Sequence, residues 1–107
     1  MPKYLEHVHD FELVLDHDRH RATRGSGPSV DFGGKVCLWK LLTALARRYD
    51  AYFRANDLIS DVWGGYLVER ETLWSAIHDL RKILRPLDLN IKHEKGLGYR
   101  LQDLRGS

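Results

Sequence analysis

Residues 69–101 read ERETLWSAIHDLRKILRPLDLNIKHEKGLGYRL, and this stretch decides the fold of the chain. Apolar residues recur in its first half at the spacing of one helix face, namely Leu73, Ile77, Leu80 and Leu84. The pattern predicts a helix from about 69 to 84, and Pro86 ends it because a proline nitrogen has no hydrogen to donate. Strand-like segments follow at 90–94 and 99–101, and the glycine-containing segment between them predicts the turn of a β-hairpin.

Two further helices are predicted before this stretch. The first runs from about 35 to 48, with an apolar stripe made of Leu38, Leu41, Leu42, Leu45 and Tyr49. The second runs from about 56 to 62, with Asn56 as its N-cap and Gly64-Gly65 at its end. Two helices that are joined by a short turn and followed by a hairpin form a helix-turn-helix with a wing.

The first third of the chain has the pattern of a small sheet. Strand-like segments lie at 11–15, 20–24 and 29–32, and the strongest turn signal of the chain lies at 25–29. The predicted class is therefore α+β: a winged helix-turn-helix with a small N-terminal antiparallel sheet, three helices and a C-terminal β-hairpin wing. We expect one domain over residues 1–107, with its core at about 11–102.

Composition excludes several classes of protein. Hydrophobic residues make up 43% of the chain, which is too many for a disordered protein. No apolar run approaches the roughly 20 residues that a membrane helix needs, so we expect no membrane partner. The N-terminus lacks the apolar core of a signal peptide, and Cys37 has no second cysteine to pair with. These features predict a cytoplasmic protein.

Charge is distributed unevenly along the chain. The formal net charge is only +2, but residues 70–107 carry 8 Lys and Arg against 5 Asp and Glu, whereas residues 1–69 carry 9 against 10. The positive excess therefore lies in the C-terminal third, which suits a polyanionic partner. An excess this small is also compatible with an ordinary solvated surface.

The outer face of the third helix is the first candidate for function. Opposite the buried stripe, the helix carries the polar residues Glu71, Ser75, His78 and Lys82, with Asp79 beside them. Serine and histidine can hydrogen-bond to base edges, an aspartate can accept from a cytosine amino group, and a lysine can contact a phosphate or guanine. Most amphipathic helices have such a solvated side, so the helix alone favours the non-functional interpretation.

The hairpin tip favours DNA more strongly. Lys95 lies beside glycines that allow the backbone to turn tightly and approach another molecule. A cation on a narrow tip suits the minor groove, where the potential is negative. An exposed lysine on an ordinary glycine-containing hairpin is the alternative.

Four segments together resemble the OmpR/PhoB-type C-terminal effector domain of bacterial response regulators. They are WKLLTALA (39–46), DLISDVWG (57–64), TLWSAIHDLRKIL (72–84) and KGLGYRL (95–101). The resemblance covers about residues 11–102, and the order and spacing of the segments are more specific than any one of them. It implies a four-stranded N-terminal sheet, a recognition helix at 69–84 in the major groove and a wing at 92–100 in the minor groove.

The resemblance also implies which residues face DNA. In the helix and the wing they are Thr72, Ser75, Ala76, His78, Asp79, Arg81, His93 and Lys95, and Trp63 contacts the backbone. Together with Lys82 from the outer face, they form the predicted site. The chain departs from the family at Asp79, where basic residues are usual, and at Trp74, where the family tends to have aspartate. Arg54 takes the place of the usual serine cap.

The implied function is sequence-specific binding of double-stranded DNA by a bacterial transcriptional regulator of a two-component system. Further expectations are contact with RNA polymerase through the loop from Gly65 to Arg70, a homodimer on tandem half-sites, and association with the nucleoid. No receiver domain precedes the sheet in this sequence, so an excised domain and a stand-alone protein both remain open. A winged helix that acts as a protein–protein interaction module, through Trp74 and the Asp79 side, is the alternative function.

Nothing in the sequence predicts an enzyme. There is no nucleophile–base–orienter set, no glycine-rich phosphate loop and no cofactor motif. The pairs His7 with His9 and His17 with His20 lack a second ligand set at a metal-site spacing. We therefore expect no catalytic residue, no cofactor and no metal.

Overall fold

The computed structural model describes residues 5–48, 51–64 and 68–105, and of His9 only the backbone. The strands are β1 (Leu5–Val8), β2 (Leu13–Asp16), β3 (Arg21–Arg24), β4 (Ser29–Asp31), β5 (Leu89–Glu94) and β6 (Gly98–Asp103). The helices are α1 (Val36–Arg47), α2 (Ala55–Trp63) and α3 (Arg70–Leu84), with short 3-10 turns at His9–Phe11 and Arg85–Leu87. This order is that of a winged helix, so the predicted class is confirmed.

The N-terminal sheet has four antiparallel strands in the order β1-β2-β3-β4. The resemblance implied four strands and is confirmed, whereas the residue pattern had indicated only three. Strand β1 escaped the pattern because, of its four side chains, only Val8 is buried. The strand expected at 11–15 begins at Leu13, since Phe11 lies in a 3-10 turn and Glu12 has a φ of 49°.

Helix α2 begins differently from the prediction. Arg54 takes the N-cap position with extended backbone angles, and its side chain makes no capping hydrogen bond. The expectation that Asn56 caps the helix is wrong, because Asn56 lies within the first turn. Gly64 ends the helix as expected: it adopts the left-handed conformation at φ 64°, and its N–H donates to the carbonyl of Ser60. Tyr49 and Gly65, which were also assigned to helix ends, lie outside the described residues.

Helix α3 matches the predicted span within a residue and buries the predicted stripe. Beyond Leu84 the chain continues as the 3-10 turn at Arg85–Leu87, and Pro86 lies inside that turn. Proline is tolerated there because the first residues of a helix donate no intrahelical bond. Asp88 then adopts a left-handed conformation at φ 54° and leads the chain into β5.

Arg24 joins the N-terminal sheet to the rest of the domain. Its side chain is only 3% exposed, and it donates to the carbonyl oxygens of Phe11 and Leu87, each at 2.8 Å. Its Nη2 also lies 2.6 Å from Oδ2 of Asp103 in β6. A buried guanidinium needs such partners, because an unpaired buried charge is costly. This residue therefore links the sheet, the turn after α3 and the last strand of the hairpin.

Within the described residues, none of the helices combines the length and apolarity that crossing a membrane requires.

Candidate nucleic-acid interface

The outer face of α3 is exposed over the whole helix. Its exposed side chains are Glu71, Thr72, Trp74, Ser75, His78, Asp79 and Lys82. The opposite side packs into the core through Leu73, Ala76, Ile77, Leu80 and Leu84. The structure thus brings five of the predicted DNA-facing residues onto one surface. Ala76, which the resemblance had placed at DNA, is 8% exposed and belongs to the core.

The wing presents its cation at a tight turn. Strands β5 and β6 pair from Leu89↔Asp103 to Glu94↔Gly98, and the turn at 95–97 joins them. Gly96 has a φ of +84°, which a glycine adopts without the cost that other residues pay. Lys95 is exposed at this tip, and His93 is exposed on β5 with its ring 4.6 Å from that of Tyr99.

A backbone bridge fixes the wing against the segment before α2. Phe53 and Tyr99 exchange two N–H···O hydrogen bonds of 2.7 Å each. Gly98 makes this approach possible, because a Cβ atom at that position would overlap the carbonyl oxygen of Phe53. Its φ of +116° is also a conformation that glycine favours. The hairpin is therefore held to the helical core on one side.

Arg81 holds the wing on the other side, against α3. Its Nε and Nη2 donate to the carbonyl oxygen of Ile91 in β5 at 3.0 and 2.8 Å, and the side chain is half-buried. Arg81 thus lies at the junction of helix and wing, where two of its nitrogens are occupied. Its predicted contact with DNA remains a prediction.

Cations and carboxylates share this surface. Lys82 is exposed in the last turn of α3, and Lys95 is exposed at the wing tip. Lys92 lies 4.0 Å from Glu94, a distance at which an exposed pair contributes little. Asp79 is exposed on the flank of α3, where it lines a groove with Lys82 and with Lys35 just before α1. Glu71 in the first turn of α3 is exposed too, so the surface is polar and carries charges of both signs.

The tryptophans have three different environments. Trp39 is 4% exposed and lies in the core, whereas Trp63 is half-buried at the end of α2 and packs against the core. Trp74 is 55% exposed on α3. Sequence reasoning missed the neighbours of Trp74: Arg70 lies one turn earlier on the same helix face, and Leu97 and Tyr99 lie on the wing. The i, i+4 spacing of Arg70 and Trp74 was the signal that could have found the first of them.

His17 and His20, which were considered as metal ligands, take part in other contacts. Nε2 of His17 lies 2.8 Å from Glu6, and Nδ1 of His17 accepts from the indole N–H of Trp39 at 3.3 Å. The ring of His20 stacks on Trp39 at 5.2 Å. Among the described residues, no group of three or more His, Cys, Asp or Glu side chains is arranged to hold a metal ion.

The exposed polar face of α3 lies beside a β-hairpin that is bonded to the helical part of the domain on two sides. This is the arrangement of a winged helix-turn-helix protein. The family described as "Transcriptional regulatory protein, C terminal" matches residues 37–101, and the chain belongs to this family. It is a DNA-binding domain of a transcriptional regulator of the OmpR/PhoB type, and the interpretation as a protein-interaction module is not favoured. The family is one of DNA-binding domains of transcriptional regulators, which is not an enzyme class.

Solved structures share the fold. The DNA-binding domain of E. coli CadC is 20% identical with a TM-score of 0.72, over 94% of this chain and 92% of that chain. The response regulator AdeR DNA-binding domain, solved in complex with an intercistronic region, is 18% identical with a TM-score of 0.69, over 95% of this chain and 97% of that one. A streptococcal redox sensor evolved from two-component response regulators is 22% identical with a TM-score of 0.70, over 96% of this chain. This chain spans 43% of that sensor's length. No curated protein sequence matches the chain.

Proposed function

We propose that the domain reads duplex DNA with α3 in the major groove and the wing in the adjacent minor groove. The observation that carries this proposal is the bond from Arg81 to the carbonyl of Ile91, which fixes the wing beside α3. With both elements held in one geometry, the two can enter neighbouring grooves without an ordering cost on binding.

Ser75 and His78 carry base recognition in this proposal. Both are exposed near the middle of the outer face of α3, where base edges lie when a helix enters the groove. Thr72 and Lys82 lie toward the two ends of the helix and contact phosphates, which set the register but carry no sequence information. Asp79 accepts from a cytosine amino group or else opposes the nearest phosphate.

The remaining predicted residues supply affinity. Lys95 at the wing tip enters the minor groove, with His93 on the adjoining strand. Trp63 meets the sugar–phosphate backbone at the end of α2. Arg81 reaches DNA only with the nitrogen that does not bond to Ile91, so its main role is to position the wing.

A single copy binds weakly, because only a few cations face the DNA. Two copies on tandem half-sites about one helical turn apart raise the affinity through effective concentration. The segment from Gly65 to Arg70 is the surface for RNA polymerase, and of it only residues 68–70 are described. A DNA partner places the domain at the nucleoid in the cytoplasm. Residues 1–107 act as one domain, whose core spans about 11–102.

A titration of labelled duplex tests the proposal. A site is selected from random duplexes, and the protein is titrated against that site and a scrambled one at two salt concentrations. We expect affinity to fall steeply with salt, since counterions are released from neutralised phosphates. In the double variant Ser75→Ala, His78→Ala, the difference in binding free energy between the selected and the scrambled duplex is smaller by about 1–3 kcal/mol.

Arg19→Ala is the matched control, since this exposed residue lies in the turn between β2 and β3, away from α3 and the wing. Arg19→Ala leaves the difference in binding free energy between the two duplexes unchanged. Salt-independent binding, or an unchanged difference in the double variant, would count against the proposal.

A further inference from the structure

A cleft opens between the first turns of α2 and α3 and the tip of the wing. Its volume is about 380 Å³. The side chains that decide its chemistry are Arg54, Arg70, Trp74, His93, Leu97 and Tyr99. They come from three elements that the Phe53–Tyr99 bridge and the Arg81–Ile91 bonds hold together. The cleft is therefore a fixed part of the interface.

The cleft combines apolar surface with cations. Trp74 on α3 and Leu97 on the wing are large apolar residues of the cleft that are 55% and 52% exposed. Arg54 and Arg70 are exposed and have no ion-pair partner within the described ranges. No carboxylate is among the described residues that line the cleft. An occupant that matches these walls has an apolar body and an anionic group.

A second cleft of about 320 Å³ adjoins the first. It is lined by Ile77 and Arg81, and it shares Trp74, His93 and Tyr99 with the first cleft. The indole of Trp74 therefore lies at the boundary between the two clefts, along the seam between α3 and the wing. A narrow extended chain that follows this seam would contact the indole wherever it passes.

The sugar–phosphate strand of duplex DNA is such a narrow extended chain. One sugar–phosphate strand separates the major groove from the adjacent minor groove. A protein with its helix in one groove and its hairpin in the next must straddle that strand. Deoxyribose presents an apolar face, and each linkage carries one negative charge. The strand thus has both an apolar face and an anionic group, which are the two properties that match the walls of the cleft.

We infer that the Trp74 cleft binds one deoxyribose–phosphate unit of the strand that crosses from α3 to the wing. The indole of Trp74 packs against the sugar, and Arg70 and Arg54 pair with the phosphate. The inference rests on the proposed docking of α3 and the wing in adjacent grooves. An apolar peptide is a poorer match, because it offers no anionic group to Arg54 and Arg70.

Two variants separate the apolar contact from the ionic one. Trp74→Ala lowers affinity for the selected site about fivefold, which is the low end of what a base stacked on an aromatic ring contributes, because a sugar offers less contact area than a base. It does not alter the slope of log affinity against log salt, because no charge is removed. Arg70→Ala also lowers affinity, but it reduces that slope by about one unit, since one phosphate contact is lost. Trp74→Phe retains part of the affinity.

Modified duplexes locate the contact. A methylphosphonate, which has no charge, is placed at each phosphate in turn between the two grooves of the selected site. One position weakens wild-type binding, and it weakens Arg70→Ala by a smaller factor, because only Arg54 still pairs with that phosphate in the variant. Arg19→Ala is again the charge-matched control and binds every duplex as the wild type does. Circular dichroism confirms that each variant is folded, which we expect because Trp74 and Arg70 are exposed.

Failure of the inference differs from failure of the proposed function. If the wild type binds no duplex, the proposed function is wrong and the inference with it. If the wild type binds and Trp74→Ala binds equally well, the inference alone is overturned. It is also overturned if Trp74→Ala loses salt dependence as Arg70→Ala does, because the indole would then only support the position of the wing. If Trp74→Ala no longer bound a protein partner that the wild type binds, while its DNA binding was unchanged, the occupant of the cleft would be a protein and not the DNA strand.

Discussion

Arg24 in β3 and Asp103 in β6 form an ion pair of 2.6 Å across the domain, between residues 79 positions apart in the chain. The arginine is buried and also donates to the backbone carbonyls of Phe11, Leu87 and Asp88, whereas Asp103 is half-buried. The N-terminal sheet and the wing strand therefore depend on the same side chain. Stability of the sheet and stability of the wing should be coupled through it.

Replacement of Arg24 tests this coupling. Arg24→Met should lower the free energy of unfolding by about 3–5 kcal/mol, because it removes one partner of a buried pair and leaves three carbonyls without their donor. Asp103→Asn should cost less, since its amide oxygen can still accept and the site is partly wet. Urea denaturation measures both. Equal and small losses would show that Arg24 is not the link.

The contacts of Glu6 lead us to expect that the free energy of unfolding falls in acid. A hydrogen bond from Arg47 lowers the pKa of the Glu6 carboxyl below its usual value of 4.5, and a hydrogen bond with His17 acts in the same direction, while burial opposes them. The charged form is thus favoured in the folded state. The stabilisation is complete above pH 4.5 and is lost as the pH falls through the lowered pKa.

Thermal unfolding from neutral pH to about pH 3 measures this effect. The melting temperature of Glu6→Gln should be lower than that of the wild type at neutral pH, and the two should converge in acid. The difference should be modest, because Arg47 is exposed and solvent screens the pair. Parallel curves over the whole range would show that Glu6 is not the titrating group.

The sequence predicted those parts of the fold that depend on local pattern. Helix α3 was placed within a residue because its apolar repeat from Leu73 to Leu84 is regular over about three turns. Strand β1 was missed because it is an edge strand with one buried side chain, and its pairing with β2 is set by tertiary contact. Arg24 was not singled out either, because its partners Leu87 and Asp103 are remote in the chain.

The site shows the same division. The outer face of α3 follows from the position of the buried stripe, so its exposed polar residues could be named in advance. The bond from Arg81 to Ile91 could not, because a long side chain at the edge of a helix can turn toward solvent or toward a neighbouring strand. The cleft beside Trp74 depends on where the wing docks, and that in turn depends on the close approach of Gly98 to Phe53.

Gly98 should control the position of the wing. Gly98→Ala introduces a Cβ that overlaps the carbonyl of Phe53, so the bridge to Tyr99 must open. We expect a loss of more than about 1 kcal/mol of stability and weaker binding to every duplex. Gly96→Ala is the control, because its φ is also positive but no atom lies within 4 Å of the added carbon. If both variants bind DNA alike, the bridge does not position the wing.

The last prediction concerns the two opposite charges of the interface, Lys95 and Asp79. Lys95 is exposed at the wing tip, so Lys95→Ala should weaken binding to the selected and scrambled duplexes by a similar factor and lower the slope of log affinity against log salt by about one unit.

Asp79 is exposed on α3, and two outcomes separate its roles. If it faces a phosphate, Asp79→Asn strengthens binding to both duplexes because a repulsion is removed. If it accepts from a cytosine, Asp79→Asn instead weakens the selected site alone, because an amide offers a poorer acceptor than a carboxylate. Equal titrations for wild type, Lys95→Ala and Asp79→Asn would place both residues outside the interface, and the proposed docking of α3 and the wing would then be wrong.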